Sequence, residues 1–516
     1  MEGHDEPSVT PGRSVWRRLA GSDVVALVLV GVGTAAIHTL CNGQYGFHRD
    51  ELQTFSNARH LAWGYVEYPP MTAFVGHLEL ALFGTSLIGF RLVPALAQGV
   101  LAFMTGLCAR ELGAGREAQL VAAVGAVIGG SPLFLGGFLS YTALEFPWWT
   151  VVAYFVIRLL DADDPRWWLA IGAALGLGMM TKYTVAFLAA GVAGGMLLTA
   201  ARRHLGSSWP WAGAALAVLI VLPNLIWQVD HNLVTLDYLR SIHARDIRWG
   251  RTDHFLLGQL WKNTHPVVVP LWLAGLWHLL VARSGRRLRM LGLMYVIPLV
   301  LLAFLRGRDY YLAPAYPMLM AAGAVRLQQW TRTLSPGSAA SVRSTTWWAL
   351  ASGGVIAAAL AMPIAPLSST WWRVANAVNG NFDMEVGWPE MVASVAKIRD
   401  SLPAVERGGL GVWAGDDGGA GAVNLYGPAF GLPPAISGMN SNWQRGYGEK
   451  GPELVIGVGM DRQFLYRNFQ SCEPAGRVGN PYGIDNSTVH GYEDLFVCRH
   501  LRQSWPGFWA HFQYYG

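Results

Sequence analysis

The chain has 516 residues, 52% of them hydrophobic and only 14% charged, with 23 Trp and a mean hydropathy of +0.29. A soluble domain carries about a quarter charged residues, so this composition points to lipid as solvent and away from an ordinary water-soluble fold. The net charge of +5 is modest, and no Lys/Arg run with interleaved aromatics suggests nucleic-acid binding.

Apolar runs of about 17–23 residues, enough to cross a ~30 Å hydrocarbon core, recur through the first 367 residues. They fall at 23–41, 90–109, 118–139, 144–160, 167–181, 183–201, 209–227, 264–282, 290–305, 310–328 and 346–367. The first lacks a small-residue cleavage site and ends in His38-Thr39-Leu40-Cys41, so it reads as a retained span. The 61 glycines suit helices that approach closely in a bilayer. Short-loop charge orients the array. With 1–22 as a cytoplasmic N-terminus, each inner loop carries basic residues: Arg13, Arg17 and Arg18, then Arg110 and Arg116, Arg158 and Arg166, Arg202 and Arg203. Arg283, Arg286, Arg287 and Arg289 follow, and then Arg326, Arg332 and Arg343. An odd number of spans leaves 368–516 outside. The expectation is a multi-pass cell-membrane protein with a transmembrane domain over 23–367, outer loops at 42–88 and 228–263, and an extracytoplasmic domain over 368–516.

Ten cations fall on the outer face, where topology does not require them: Arg49, Arg59, Lys182, Arg240, Arg245, Arg248, Arg251, Lys262, Arg306 and Arg308. An anionic ligand explains them, as would phospholipid headgroups. The loop after the first span concentrates chemistry. His48, Arg49, Asp50 and Glu51 are consecutive and open a helix predicted over 50–63; Tyr68-Pro69-Pro70 breaks the chain before a second helix over 71–83. Acids in a first turn are favoured by the helix dipole. Adjacent residues point ~100° apart, however, so one carboxylate can face a cavity while its neighbour binds elsewhere. Partial desolvation would give such a carboxylate the raised basicity that proton abstraction from a hydroxyl needs.

Glu145 begins the fourth span at the same level, in Ser140-Tyr141-Thr142-Ala143-Leu144-Glu145-Phe146-Pro147, and Lys182 is a lone cation at the turn between spans five and six. Each also fits an interfacial side chain with no further role. In Arg306-Gly307-Arg308-Asp309-Tyr310-Tyr311, a tyrosine belt does not account for the arginines, whose forked guanidinium suits phosphate. The tail reads as a small α/β unit: a helix over 388–401 and strands at 409–414, 454–458 and 495–498. Cys472 and Cys498 both lie in it and are expected to pair in an oxidising compartment. Asn486-Ser487-Thr488 matches a glycosylation sequon, a pattern too short to weigh.

The Asp50-Glu51 pair, Tyr68-Pro69-Pro70, Thr181-Lys182-Tyr183 and Tyr310-Tyr311-Leu312-Ala313-Pro314-Ala315-Tyr316-Pro317 resemble the family 39 glycosyltransferases. These include dolichyl-phosphate-mannose protein mannosyltransferases and lipid A aminoarabinose transferases, helical polytopic enzymes of the GT-C fold. The resemblance implies a polyprenyl-phosphate-linked sugar as donor, inverting transfer of a hexose or pentose on the outer face, and a lipid, glycan or protein acceptor. By motif position it makes Asp50 the catalytic base, with Glu51 in support and Glu145 as a further acid. Lys182 and Arg308, beside Tyr310 and Tyr311, would hold the departing phosphate, and Arg245, Arg248 and Arg251 are further candidates for that anion. Carboxylates at the outer face could hold a divalent metal, although none shows a recognised ligand spacing. Trp413-Ala414-Gly415-Asp416-Asp417 and Met439-Asn440-Ser441-Asn442-Trp443 are less typical of the bacterial relatives, so no acceptor role carries over to the tail and the expectation for it is a cap over the cavity. The rival class is a transporter or flippase for a lipid-linked or anionic solute. That class calls for internal repeats and mid-membrane charges, neither of which stands out.

Overall fold

The computed structural model describes residues 22–486 and 493–516. The segment 1–21, with Arg13, Arg17 and Arg18, lies outside the described residues, as do Ser487 and Thr488 of the sequon. The chain opens with α1 (Ser22–Cys41), α2 (Arg49–Ala58), α3 (Met71–Phe83), α4 (Leu92–Glu111), α5 (Arg116–Val127) and α6 (Tyr141–Ala162). It continues through α7 (Trp167–Met179), α8 (Val185–Leu198), α9 (Trp209–Asp230), α10 (Val234–Arg248), α11 (Val269–Leu280), α12 (Arg289–Phe304), α13 (Tyr316–Thr331) and α14 (Pro336–Ala361).

Among the described residues, five helices are long and apolar enough to cross a membrane: Ser22–Cys41, Gly89–Glu111, Tyr141–Ala162, Trp209–Asp230 and Arg283–Phe304. Val185–Leu198 joins them if it is counted with the bent turn Ala200–Gly206, and shorter apolar helices lie at Trp167–Met179 and Pro266–Leu280. Helix α14 has the length, but Ser338, Ser341, Arg343, Ser344, Thr345 and Thr346 make its first half polar. The helices pack through small residues. A Cβ at Gly31 would stand 2.8 Å from the Gly99 carbonyl oxygen, so α1 and α4 touch backbone to backbone, the close approach that holds helices together where lipid removes a hydrophobic drive.

Two predicted helices end early. The run at 118–139 is broken: α5 stops at Val127, Ile128 and Gly129 interrupt it, and a short helix Gly130–Leu135 follows before Gly136. The His38 ring occupies the space a Gly136 side chain would need. The helix predicted over 50–63 closes at Ala58, where the Arg59 N–H caps the Phe55 and Asn57 carbonyl oxygens and the Tyr65 hydroxyl lies 3.1 Å from those of Asn57 and His60.

The tail folds as a five-stranded sheet of β1 (Leu410–Ala414), β2 (Ala435–Ile436), β3 (Leu454–Val458), β4 (Phe469–Arg477) and β5 (Asp494–Leu501), in the order β2-β1-β3-β5-β4. β1 pairs in parallel with β2 and β3, whereas β5 runs antiparallel to β3 and β4. Alternate residues feed two cores. Val412, Ile456 and Val497 pack under α15 (Trp388–Ser401), while Trp413, Val455 and Phe496 meet Trp505 and Phe508 on the other face. Burial on both faces explains why β1 and β3 read as unbroken apolar runs. Cys472 and Cys498 are register partners on β4 and β5 and form a disulfide.

The core under α15 does not stop at the tail. Leu52 and Phe55 of α2 belong to it, together with Phe47 and Phe90. Helix α16 (Asp417–Tyr426) lies directly on α2, because Gly418 and Gly421 present no side chain to the Arg49 stem and the Leu52 carbonyl. The first loop and the tail are therefore one packed body.

Candidate functional site

Helix α2 is the organising element. His48 is its N-cap and accepts from the Asp50 backbone N–H (3.1 Å), while the Glu51 carboxylate accepts from the His48 N–H (2.8 Å), a reciprocal capping box. This locks the first turn and sends two adjacent carboxylates to different places.

Asp50 faces a cavity of about 190 Å³. The same cavity is lined by Arg49, Lys182, Arg245, Arg251 and Arg308, by Tyr141, Tyr238, Tyr310 and Tyr311, and by Gln53, Glu67, Asp416 and Asp417. Five of the ten outer cations thus converge on it. The Asp50 side chain keeps 42% exposure, enough for a substrate to reach it, and sits 3.5 Å from the Arg49 Nε. Burial pushes its pKa up, but His48, Arg49 and Arg308 around it outweigh that and hold it below the usual aspartate value. The raised basicity expected for this carboxylate is therefore absent in the resting cavity, because desolvation is the weaker influence there.

The cationic wall is built around one acid. Arg308 forks onto Asp246 at 2.5 and 2.6 Å; Arg251 and Arg245 approach the same carboxylate at 3.5 and 3.7 Å and lie over Trp249. Three guanidinium groups share one counter-ion, so the wall has positive charge to spare. Lys182, on the turn between α7 and α8, stands with its ammonium 5.1–5.3 Å from the rings of Tyr141, Tyr310 and Tyr311. It donates to Thr142 at 3.1 Å and contacts Glu145 at 2.9 Å, the latter at an angle outside the hydrogen-bond range.

Three predicted residues are not at the cavity. Glu51 has no exposure: Arg91 grips it from Nε and Nη2 at 2.7–3.2 Å, and the Leu139 N–H donates to it at 3.0 Å. All its acceptor positions are taken, so it positions α2 and cannot exchange a proton with a substrate. Glu145 is equally buried and spends its oxygens on Trp149, Thr184 and Lys182; it reaches the cavity only through Lys182 and Thr184. Arg248 is exposed and does not line the cavity, whereas Arg245 and Arg251 do. Elsewhere Arg240, Lys262 and Arg306 pair with Asp237, Asp309 and Asp253.

The sequence reading did not assign Gln53, Glu67, Asp416 or Asp417 to the site. Gln53 bridges Glu67 (3.0 Å) and Asp417 (2.5 Å), and Asp417 also accepts from Asn440 and Asn442. Burial, and then the Glu67 charge, push Asp417 well above the usual carboxylate range. Nothing in the sequence reading assigned a role to them, although Asp416 and Asp417 close the stretch Trp413–Asp417 that it set apart as less typical. Asp416, Asp417 and Met439 line the cavity, so the tail forms part of its wall.

Residues 67–227 match the family model described as dolichyl-phosphate-mannose-protein mannosyltransferase. The lipopolysaccharide core galacturonosyltransferase RgtB of Rhizobium johnstonii is 27% identical over 39% of this chain and 40% of its own length. An undecaprenyl phosphate-alpha-4-amino-4-deoxy-L-arabinose arabinosyl transferase of Pseudomonas fluorescens is 26% identical over 47% of this chain and 45% of its own. The matched part thus spans less than half of either relative. The fold match is longer: the crystal structure of ArnT from Cupriavidus metallidurans bound to undecaprenyl phosphate superposes with a TM-score of 0.54 over 92% of this chain and 98% of that one, at 15% identity. Together these matches bear out the resemblance to glycosyltransferases of the GT-C fold, and with the apolar helices they make this a multi-pass membrane protein.

Proposed function

We propose that the cavity is the catalytic site of an inverting membrane glycosyltransferase that takes a hexose or pentose from a polyprenyl-phosphate donor. The acceptor is a hydroxyl on a lipid, glycan or protein at the outer face. One observation carries the reading: Asp50 shares a single cavity with Lys182, Arg308, Arg245 and Arg251.

The donor phosphodiester brings one negative charge, and breaking the bond from sugar C1 to phosphate oxygen adds a second to the departing lipid phosphate. The three arginines around Asp246 stand ready for that growing charge in a partly dry site, where fixed charges stabilise most strongly. The Arg308 fork, already bidentate on a carboxylate, has the geometry phosphate requires. Lys182 adds a compact charge, aimed by Glu145 and held among three tyrosine rings. On the opposite face of C1 the acceptor oxygen forms its bond as its proton passes to Asp50, which inverts the anomeric centre. Donor phosphate offsets the cations that depress Asp50, so the base strengthens when the donor is seated. An eleven-span arrangement with the N-terminus inside and 368–516 outside agrees with this chemistry, since the tail carboxylates and the outer-loop cations meet in one cavity.

The relatives' sugars, a uronic acid and an amino pentose, support a polyprenyl-phosphate hexose or pentose as donor. In purified protein supplied with undecaprenyl-phosphate-linked sugars, Asp50→Asn is expected to lower transfer about 10²–10⁴-fold, the range of general-base catalysis, with undecaprenyl phosphate binding retained. Unchanged turnover overturns the assignment. Mass spectrometry of envelope glycans from cells with and without the protein identifies the product.

A further inference from the structure

A second polar depression lies beside the cavity and has no part in the chemistry above. It is a groove of about 1020 Å³ between the C-terminal end of α2 and the β1–β2 edge of the tail sheet. Ser56, Arg59 and His60 line one side, and Arg445, Tyr447 and Lys450 belong to the loop that closes the other.

Four features mark it as a built site. Ser56 is only 2% exposed, and its hydroxyl, on the groove lining, has no hydrogen-bond partner among the described residues. A buried hydroxyl left unpaired is a deficit that a ligand atom can fill. Arg445 is half-buried and donates to the side-chain oxygens of Asn57 and Asn442, two neutral amides, with no carboxylate in ion-pair contact among the described residues. Burial pulls its pKa below the usual arginine value, against the opposing pull of the Glu67 and Asp417 charges. Arg59 and Lys450 add exposed cations, against Glu453 as the one acid on the lining. Tyr447 is held rigid by stacking on Trp505, with ring centroids 5.3 Å apart and planes at 21°, and offers the kind of aromatic surface on which sugar rings stack.

The segment formed by α2 and the residues just after it borders both the groove and the catalytic cavity. Asp50 and Gln53 of α2 line the cavity, whereas Ser56 of α2 and His60, two residues beyond its end, line the groove. Asp50 and Ser56 are about 9 Å apart along the helix axis. Arg445 reaches Asp417 of the cavity wall through Asn442.

We propose that this groove binds the acceptor, and that the acceptor is an acidic glycan: its anionic residues lie on Arg445, Arg59 and Lys450 while the sugar whose hydroxyl reacts extends along α2 to Asp50. The proposal rests on the transferase reading. The probe is a short oligogalacturonate, compared with a neutral malto-oligosaccharide of equal length and with oligoglutamate, titrated into the full chain in nanodiscs. The oligogalacturonate is expected to bind at least about tenfold more tightly than the neutral sugar, the equivalent of ~1.4 kcal/mol, and to weaken as salt rises. Arg59→Ala with Lys450→Ala, both exposed positions, is expected to remove most of that preference. Ser56→Ala, which leaves every charge in place, is expected to weaken binding several-fold. Undecaprenyl phosphate binding stays unchanged in both variants. Equal binding of the neutral sugar, equal binding of oligoglutamate, or indifference to both variants overturns the groove. Oligogalacturonate binding is expected to survive Asp50→Asn, so a failed groove shows in the titration alone, whereas a failed transferase reading shows in turnover alone.

Discussion

Two clusters of acid and arginine meet at the first turn of α2, one sealed and one open. In the sealed cluster Glu51 and Glu385 flank Arg91, which also donates to the carbonyl oxygens of Asn42 (3.1 Å) and Gly46 (2.7 Å). Its Arg91 and Glu51 side chains have no exposure at all. In the open cluster Asp50 and Arg49 remain more than 40% exposed, and three arginines divide a single aspartate. The residue types are the same and the two acids are neighbours in sequence. What differs is completeness: the inner cluster satisfies itself and serves the fold, whereas the outer one has charge left over and calls for a ligand.

The comparison breaks most visibly at Glu51. Glu51→Ala leaves the Arg91 guanidinium buried with only Glu385 at 3.4 Å, and uncoupling a buried pair costs about 3–5 kcal/mol. Loss of monodisperse protein on size exclusion is the expected result, whereas Asp50→Asn elutes as the parent does. A folded Glu51→Ala protein with reduced turnover would instead put Glu51 in the chemistry. Next in size is Arg308→Lys, which keeps the charge and loses the fork. A fall in turnover of about 10–100-fold is expected without loss of folded protein, because phosphate is matched by two parallel N–H groups rather than by charge alone.

Much of this was legible in the sequence. The 71–83 helix, the 388–401 helix and the 454–458 strand fall where the sequence reading places them, the first on an apolar stripe, the second behind a proline in its first turn and the third on a short apolar run. β4 was not legible: Glu473, Pro474 and Gly476 lie on a mostly exposed edge strand with a register shift, so no alternation survives there. β2, with two residues after Pro433-Pro434, is too short to show a pattern. At the site, Asp50, Lys182, Arg245, Arg308, Tyr310 and Tyr311 were found by sidedness and motif. The fates of Glu51 and Glu145 were not, because helix geometry says that neighbours diverge and tertiary packing decides which one is sealed. Gln53, Glu67 and Asp417 were hidden for the same reason, since their meeting depends on α16 docking against α2 through Gly418 and Gly421.

A smaller effect sharpens the open side. The net depression of the Asp50 pKa keeps it ionised below the ordinary aspartate value of 3.8, so the acid limb of kcat/KM, which reports the free enzyme, lies below that pH. Arg49→Gln removes one of the cations responsible and is expected to move the limb upward, with turnover near pH 7 little changed. An unmoved limb in a pH-rate titration would mean that Arg49 does not set the basicity of Asp50.

A second pH dependence tests the sealed side. Burial pushes the Glu385 pKa from 4.5 up to about 8 against the pull of Arg91, so near pH 7 the folded protein holds this acid largely protonated. An acid with a raised folded-state pKa binds more protons folded than unfolded, so its contribution to stability is full below about 4.5, erodes as pH rises and is gone above about 8. Thermal midpoints of the parent should therefore decline between pH 5 and 8, and Glu385→Gln, which mimics the protonated form, should flatten that decline while leaving pH 5 stability nearly unchanged. An equally steep decline in the variant would place the charge of the sealed cluster on Glu385 at neutral pH, and Arg91 would then balance two carboxylates rather than one.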